Sequence, residues 1–174
     1  MKIGVKTYNN PEFLKELENK VDFFEVMAIR NNNYDFIKEF SLPIIIHAEH
    51  QSFEINNADK NKIDLNQESI NFAIKIANSC NAKKIIIHPG TTNNNTSSKE
   101  QAINFLKNFN DTRILIENLI SSNNSLGYSP NEIEEFMIKT KKRNRKQIYI
   151  SNKKQIFLDN FNSRFIYILL YYKI

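Results

Sequence analysis

The 174-residue chain has no tryptophan, one cysteine, three glycines and three histidines. A single cysteine, Cys80, excludes an internal disulfide framework and any cysteine-based zinc finger. It closes the apolar stretch Ile74–Cys80, where a small buried hydrophobe is the expected role. A reducing, cytoplasmic setting is the matching expectation for the compartment. So few glycines leave no glycine-rich loop to cradle phosphate. No Gly-x-Gly-x-x-Gly follows the first predicted strand, which speaks against a dinucleotide-binding sheet. No apolar run approaches the roughly 20 residues that span a bilayer, and Phe165 to Tyr172 is too short, so no membrane association is expected. The opening Met1-Lys2-Ile3-Gly4-Val5 lacks a signal-peptide pattern.

Charge is divided unevenly. Residues 141–174 hold nine of the 24 basic residues and one of the 19 acidic ones, a net of +8. Residues 1–140 therefore carry 15 basic and 18 acidic residues, a net of −3. The overall +5 thus describes a basic tail on a mildly acidic body. Such a tail can touch nucleic acid or anionic lipid, although runs of this kind are commonly just solvated.

Strand and helix signals alternate through the first 140 residues. Ile3 to Thr7, Asp22 to Met27, Pro43 to Ile46, Lys84 to Ile87 and Arg113 to Ile116 read as strands. Helix starts fall at Asn10-Pro11, Ser98 and Ser129-Pro130, a short helix at Asp35 to Phe40, and Asn66 is the expected cap of another. His50 to Asp64 reads as a long polar loop. The isoleucine runs are continuous rather than alternating, which implies strands buried on both faces, as in parallel sheets. Regular β/α alternation gives an α/β fold. The rhythm stops near residue 140. Beyond it, Ile156-Phe157-Leu158 suggests a sixth strand, and Phe165 to Tyr172 a strand or short helix.

Three of the strands end in a residue able to bind a metal: Ile44-Ile45-Ile46-His47, Ile85-Ile86-Ile87-His88 and Ile114-Leu115-Ile116-Glu117. Each residue alone can be the satisfied polar end of its strand. A charged or imidazole group at the end of a buried strand is nevertheless expensive unless something there needs it. Strand C-termini are where parallel α/β sheets bind ligands. The separations, 41 residues from His47 to His88 and 29 from His88 to Glu117, suit neighbouring βα units. Imidazole nitrogen and carboxylate oxygen together suit a divalent metal, zinc or manganese. His50 is expected as a surface histidine, with a further ligand or substrate contact as the other reading. Glu25 ends the second strand and can reach the same mouth, and Asn118 can brace Glu117. No Ser/His/Asp or Cys/His nucleophile arrangement is visible.

His47-Ala48, Ile87-His88-Pro89-Gly90, Leu115-Ile116-Glu117-Asn118 and Phe24-Glu25-Val26 together resemble the xylose-isomerase-like TIM-barrel superfamily. That superfamily contains sugar and sugar-phosphate isomerases and epimerases and the endonuclease IV type of apurinic/apyrimidinic endonucleases. The resemblance covers residues 1–140 and leaves 141–174 as an atypical basic tail. It implies a partial (β/α) barrel of about five βα units, with His47, His88 and Glu117 as metal ligands at its mouth. It also implies a sugar or sugar-phosphate substrate and isomerase or epimerase chemistry. The alternatives are metal-dependent cleavage of abasic DNA and a non-catalytic half-barrel that associates with another chain. The chain departs from the superfamily in having no histidine after His88, with Asn162 where one would stand. A complete barrel takes about 250 residues, so the resemblance implies a truncated member of doubtful turnover. An open half-barrel should leave a strand edge and an apolar interior uncovered, inviting self-association.

Overall fold

A computed structural model describes residues 2–117, 119 and 124–141, and the backbone of residues 167–171. Five strands, β1 (Lys2–Thr7), β2 (Phe23–Ala28), β3 (Ile44–Ala48), β4 (Ile85–Ile87) and β5 (Ile114–Ile116), run parallel and pair in sequence order. Helices α1 (Pro11–Leu17), α2 (Ile63–Ser79), α3 (Lys99–Lys107) and α4 (Pro130–Lys139) follow β1, β3, β4 and β5, and a 3-10 helix, Asp35–Glu39, follows β2. This is the α/β, five-unit arrangement that the alternation implies. Among the described residues no helix is long and apolar enough to cross a membrane.

The isoleucine runs are buried as expected, with every residue of β2 and β3 out of solvent. Alternate side chains divide between two layers. Val5, Phe24, Val26, Ile46, Ile85 and Ile87 face the helices and pack on Ile70, Ala73, Leu106 and Phe136. Phe23, Ile45 and Ile86 form a second cluster on the opposite face, the barrel interior. Gly4 leaves room there for the Phe23 ring, whose Cζ a Cβ at this position would meet at 2.0 Å.

The helix-start signals at three sites act as expected. Asn10, Ser98 and Ser129 accept from the backbone N–H of Phe13, Gln101 and Glu132, with Pro11 and Pro130 in the first turns. Other expectations need correction. Asn66 is no cap: α2 begins at Ile63, and the fully buried Asn66 sits inside it. Its Oδ1 accepts from the Asn56 N–H at 3.0 Å and its Nδ2 donates to the Asn56 carbonyl at 2.7 Å. The stretch from His50 to Asp64 is not a solvated loop. It holds 3-10 turns at Gln51–Phe53 and Lys60–Lys62, and Ile55, Asn56, Asn57, Ala58 and Asp59 are buried. Polar composition misleads here because Asn56 and Asn57 donate their side-chain N–H groups to backbone carbonyls rather than to water.

The expected bare interior and edge are only partly found. Phe23, Ile45 and Ile86 retain 6%, 7% and 2% exposure, so the inner apolar layer is covered. The outer edge of β1 is taken by a sixth strand, β6 (Tyr167–Tyr171), which pairs antiparallel with Ile3 opposite Leu170. This settles the strand-or-helix alternative for that part of residues 165–172. Strand order ends at β5 on the other side. The expected strand at residues 156–158, Asn118 and Asn162 lie outside the described residues.

Replacing Asn66 by alanine should leave the Asn56 N–H without a partner inside the protein and its carbonyl with the Asp59 N–H alone. A loss of about 2–4 kcal/mol is expected, measured by urea unfolding. A change within experimental error would show that the Asn56–Asn66 pair does not anchor this segment.

Candidate metal centre

Strand register brings the three strand-end residues to one place. His47 lies opposite Ile86 and Ile86 opposite Leu115, so these share the inner face. His88 and Glu117 each stand two residues further along the same face. The Glu117 N–H still donates to the Ile87 carbonyl at 2.8 Å, so the β4–β5 ladder holds up to the site. His47 Nε2 lies 3.0 Å and His88 Nε2 2.8 Å from the same oxygen, Glu117 Oε2. Among the described residues these three make up the one group of metal-ligating side chains that converges, each with a ligand atom within 4.8 Å of the others.

The surroundings of His47 set the chemistry. The residue is fully buried, and burial, followed by the nearby Lys6 ammonium, lowers its pKa to about 4. The opposing pull of the Glu117 and Glu25 carboxylates is weaker. The ring is therefore neutral near pH 7 and carries one N–H. Both its nitrogens face acceptors, Nδ1 the Ala48 carbonyl at 2.7 Å and Nε2 the Glu117 carboxylate. Whichever nitrogen holds the proton, the other points a lone pair at an oxygen lone pair. A cation between Nε2 and Glu117 resolves the conflict, with Nδ1–H donating to Ala48 as histidine ligands usually do to an outer acceptor. The donor set, two imidazoles and a carboxylate, fits a divalent ion. Burial acts to raise the Glu117 pKa, but hydrogen bonds from His47 and His88 outweigh it and hold the carboxyl well below the usual range.

Other expected residues fall close by. Glu25 is buried on the inner face of β2, where the Lys6 ammonium lies 3.0 Å from its Oε1. His50 is half-buried and stacked on His88, with ring centroids 4.9 Å apart and planes 11° from parallel. It is therefore part of the site wall rather than a plain surface histidine. Cys80 caps the C-terminus of α2, half-buried, with its thiol pushed up mainly by burial.

Three residues that place the site carried no warning in the sequence. Lys6 on β1 holds Glu25. Asn57 Nδ2 donates to the His88 carbonyl at 2.7 Å. Asn56 ties the two loops together: its Oδ1 accepts from Thr91 and Ala58 N–H groups, and its Nδ2 donates to the Thr91 carbonyl. Gly90 is needed beside it, with φ +111° and a missing Cβ that would stand 2.4 Å from Asn56 Oδ1. In an asparagine-rich sequence, two working asparagines have no signature that separates them from the rest. The Pro89-Gly90 step, by contrast, already marks a turn.

No family model and no curated protein matches the sequence. Solved structures do match. A D-tagatose 3-epimerase-like protein aligns with a TM-score of 0.61 at 21% identity, over 78% of this chain and 60% of that one. Endonuclease IV from Thermus thermophilus aligns with a TM-score of 0.60 at 15% identity, over 77% of this chain and 58% of that one. The fold is that of a TIM barrel, in part. This barrel spans less than two thirds of either of those chains. Its five parallel strands place the candidate centre at their C-terminal ends, the face on which barrels carry their chemistry.

The buried imidazole has a consequence for the metal-free protein. As the pH falls below 6.5 the unfolded chain binds a proton that folded His47 refuses until about pH 4. The unfolded state then holds more protons, so stability must fall across that window. The depressed Glu117 carboxyl adds a loss of the same sign at lower pH. Urea unfolding in the presence of a chelator should lose up to about 3 kcal/mol between neutral pH and the lower end of the window. His47→Gln should flatten that decline, and an equally steep decline in the variant would refute the assignment.

Proposed function

We propose that the chain is a metal-dependent, isomerase- or epimerase-like partial barrel that acts on a sugar or sugar phosphate. A divalent ion would be held by His47, His88 and Glu117. The observation that carries this reading is the buried His47 ring facing two acceptors at 2.7 and 3.0 Å, an arrangement that a cation completes. Zinc suits the imidazole-rich set, and manganese is the alternative. Bound there, the ion would polarise a hydroxyl or carbonyl oxygen of the substrate. The protein's own groups do the rest. The Ala48 carbonyl fixes the tautomer of His47, Asn57 orients His88 through its carbonyl, and the Lys6–Glu25 pair balances charge in the floor of the site. The likeness of the fold to an epimerase-like protein supports the reading.

A second reading is hydrolysis of a phosphodiester at an abasic site. Two histidines and one glutamate are a ligand set of catalytic zinc in hydrolases, and the fold is also that of an endonuclease IV. This reading needs a basic surface for the phosphate backbone. Residues 1–140 carry −3, and the basic run falls mostly beyond the described residues, so the first reading is preferred. Pairing of a non-catalytic half-barrel with another copy is a third reading, and the strand order that stops at β5 is what favours it.

Zinc titration of the purified protein with a chromophoric chelator as competitor tests the site. The wild type should take up the ion, and the His47→Ala, His88→Ala double variant should bind at least about a hundredfold more weakly. Equal uptake by both would remove the site. Epimerisation of ketoses against incision of abasic DNA by the loaded protein separates the first two readings. Metal uptake with neither activity, in a protein that sediments as a dimer, would favour the third.

A further inference from the structure

The two histidines of the candidate centre are held differently. His47 is fully enclosed, and its Nδ1 faces the Ala48 carbonyl at 2.7 Å. The His88 side chain keeps 21% of its surface exposed, and among the described residues nothing hydrogen-bonds its Nδ1. The torsion that turns an imidazole about its Cβ–Cγ bond has broad wells rather than sharp ones. A ring without an outer partner therefore needs some other hold if its Nε2 is to stay on Glu117.

The segment after β3 supplies that hold twice. Asn57 Nδ2 donates to the His88 carbonyl at 2.7 Å and fixes the main chain. His50 lies face to face with the His88 ring, with centroids 4.9 Å apart and planes 11° from parallel. His50 is itself wedged in place. Phe53 meets it edge-on at 5.6 Å, its Nδ1 accepts the Ser52 N–H at 3.3 Å, and its carbonyl accepts the Phe53 N–H at 2.8 Å. The His47 ring stands across it at 5.8 Å, with planes at 83°. His88 is thus backed by a flat wall that the turn at Gln51–Phe53 keeps upright.

The same geometry argues against His50 as a fourth ligand. An imidazole holds zinc in the plane of its ring, about 2.0–2.1 Å from the nitrogen. Two stacked rings lie in separate, nearly parallel planes, and no point near either ring lies in both. In agreement, His50 is not among the side chains that converge on one point. Building on the metal centre proposed above, we propose that His50 is a positioning residue for His88. Its ring face, rather than its nitrogens, sets the orientation in which His88 Nε2 meets Glu117 and the ion.

Two substitutions separate the face from the nitrogens. His50→Phe keeps a flat ring and His50→Leu does not, while both remove the Nδ1 that accepts from Ser52. Competition titration with zinc should find His50→Leu about tenfold weaker than wild type and His50→Phe within about threefold of it. The visible spectrum of the cobalt-loaded protein, which reports ligand number, should be the same in His50→Phe as in wild type. NMR of the metal-free protein adds a readout that needs no ion. The carbon-bound protons of the His88 ring should be shifted upfield by the stacked imidazole, stay so in His50→Phe and lose the shift in His50→Leu. Equal losses of zinc affinity in the two variants, an altered cobalt spectrum in His50→Phe, undiminished zinc affinity in His50→Leu, or His88 protons without the upfield shift would each overturn the inference. A wild type that takes up no zinc but shows the shift, with its loss confined to His50→Leu, would overturn the metal reading and leave the stacked hold on His88 standing.

Discussion

Most of what is unusual in this structure follows from one buried imidazole. His47 sits at the end of the central strand β3 with no access to water, and both ring nitrogens are aimed at oxygen acceptors. A neutral ring can satisfy only one of them, and the dry surroundings oppose the charged ring that could satisfy both. The surrounding arrangement answers to that conflict. His88 and Glu117 arrive from the next two strands, and Glu117 places one oxygen against both histidines. Lys6 and Glu25 supply a compensated pair below. A site of this kind would be a poor way to stabilise a sheet, since breaking or leaving unpaired a buried polar group costs more than an apolar substitute would.

The sheet and the three strand-end residues could be read from the chain because both leave periodic traces. Unbroken isoleucine runs occur where a strand is covered on both sides, and a histidine or glutamate ending such a run is conspicuous against the apolar background. Capping residues at Asn10, Ser98 and Ser129 were equally visible, since a short polar side chain before proline or an acidic first turn has a local physical cause. Asn66 looked the same and is different. Its partner, Asn56, lies ten residues back on a folded-in segment, and nothing local distinguishes a cap from a buried clamp.

The same limit hid Lys6, Asn56 and Asn57. Each acts across the fold, on Glu25 of a neighbouring strand or on Thr91 and His88 of a distant loop. Pairings of that sort depend on which loops the barrel brings together, and a single sequence does not encode them as a pattern. His50 belongs to this group too. A histidine two residues past the end of β3 looks ordinary until the turn at Gln51–Phe53 folds it back over His88.

The strand that borders β1 has a bearing on how the molecule comes to be folded. Residue 3 finds its neighbour at residue 170, so this ladder joins two stretches that lie far apart along the chain. Pairings between such remote stretches carry a large loop-closure entropy and form slowly. During translation β1 can align with β2 early, while its other side stays open until the stretch around residue 170 has been made. The nascent barrel therefore carries an exposed pairing edge over that interval, in which it is open to capture by chaperones or by other strands.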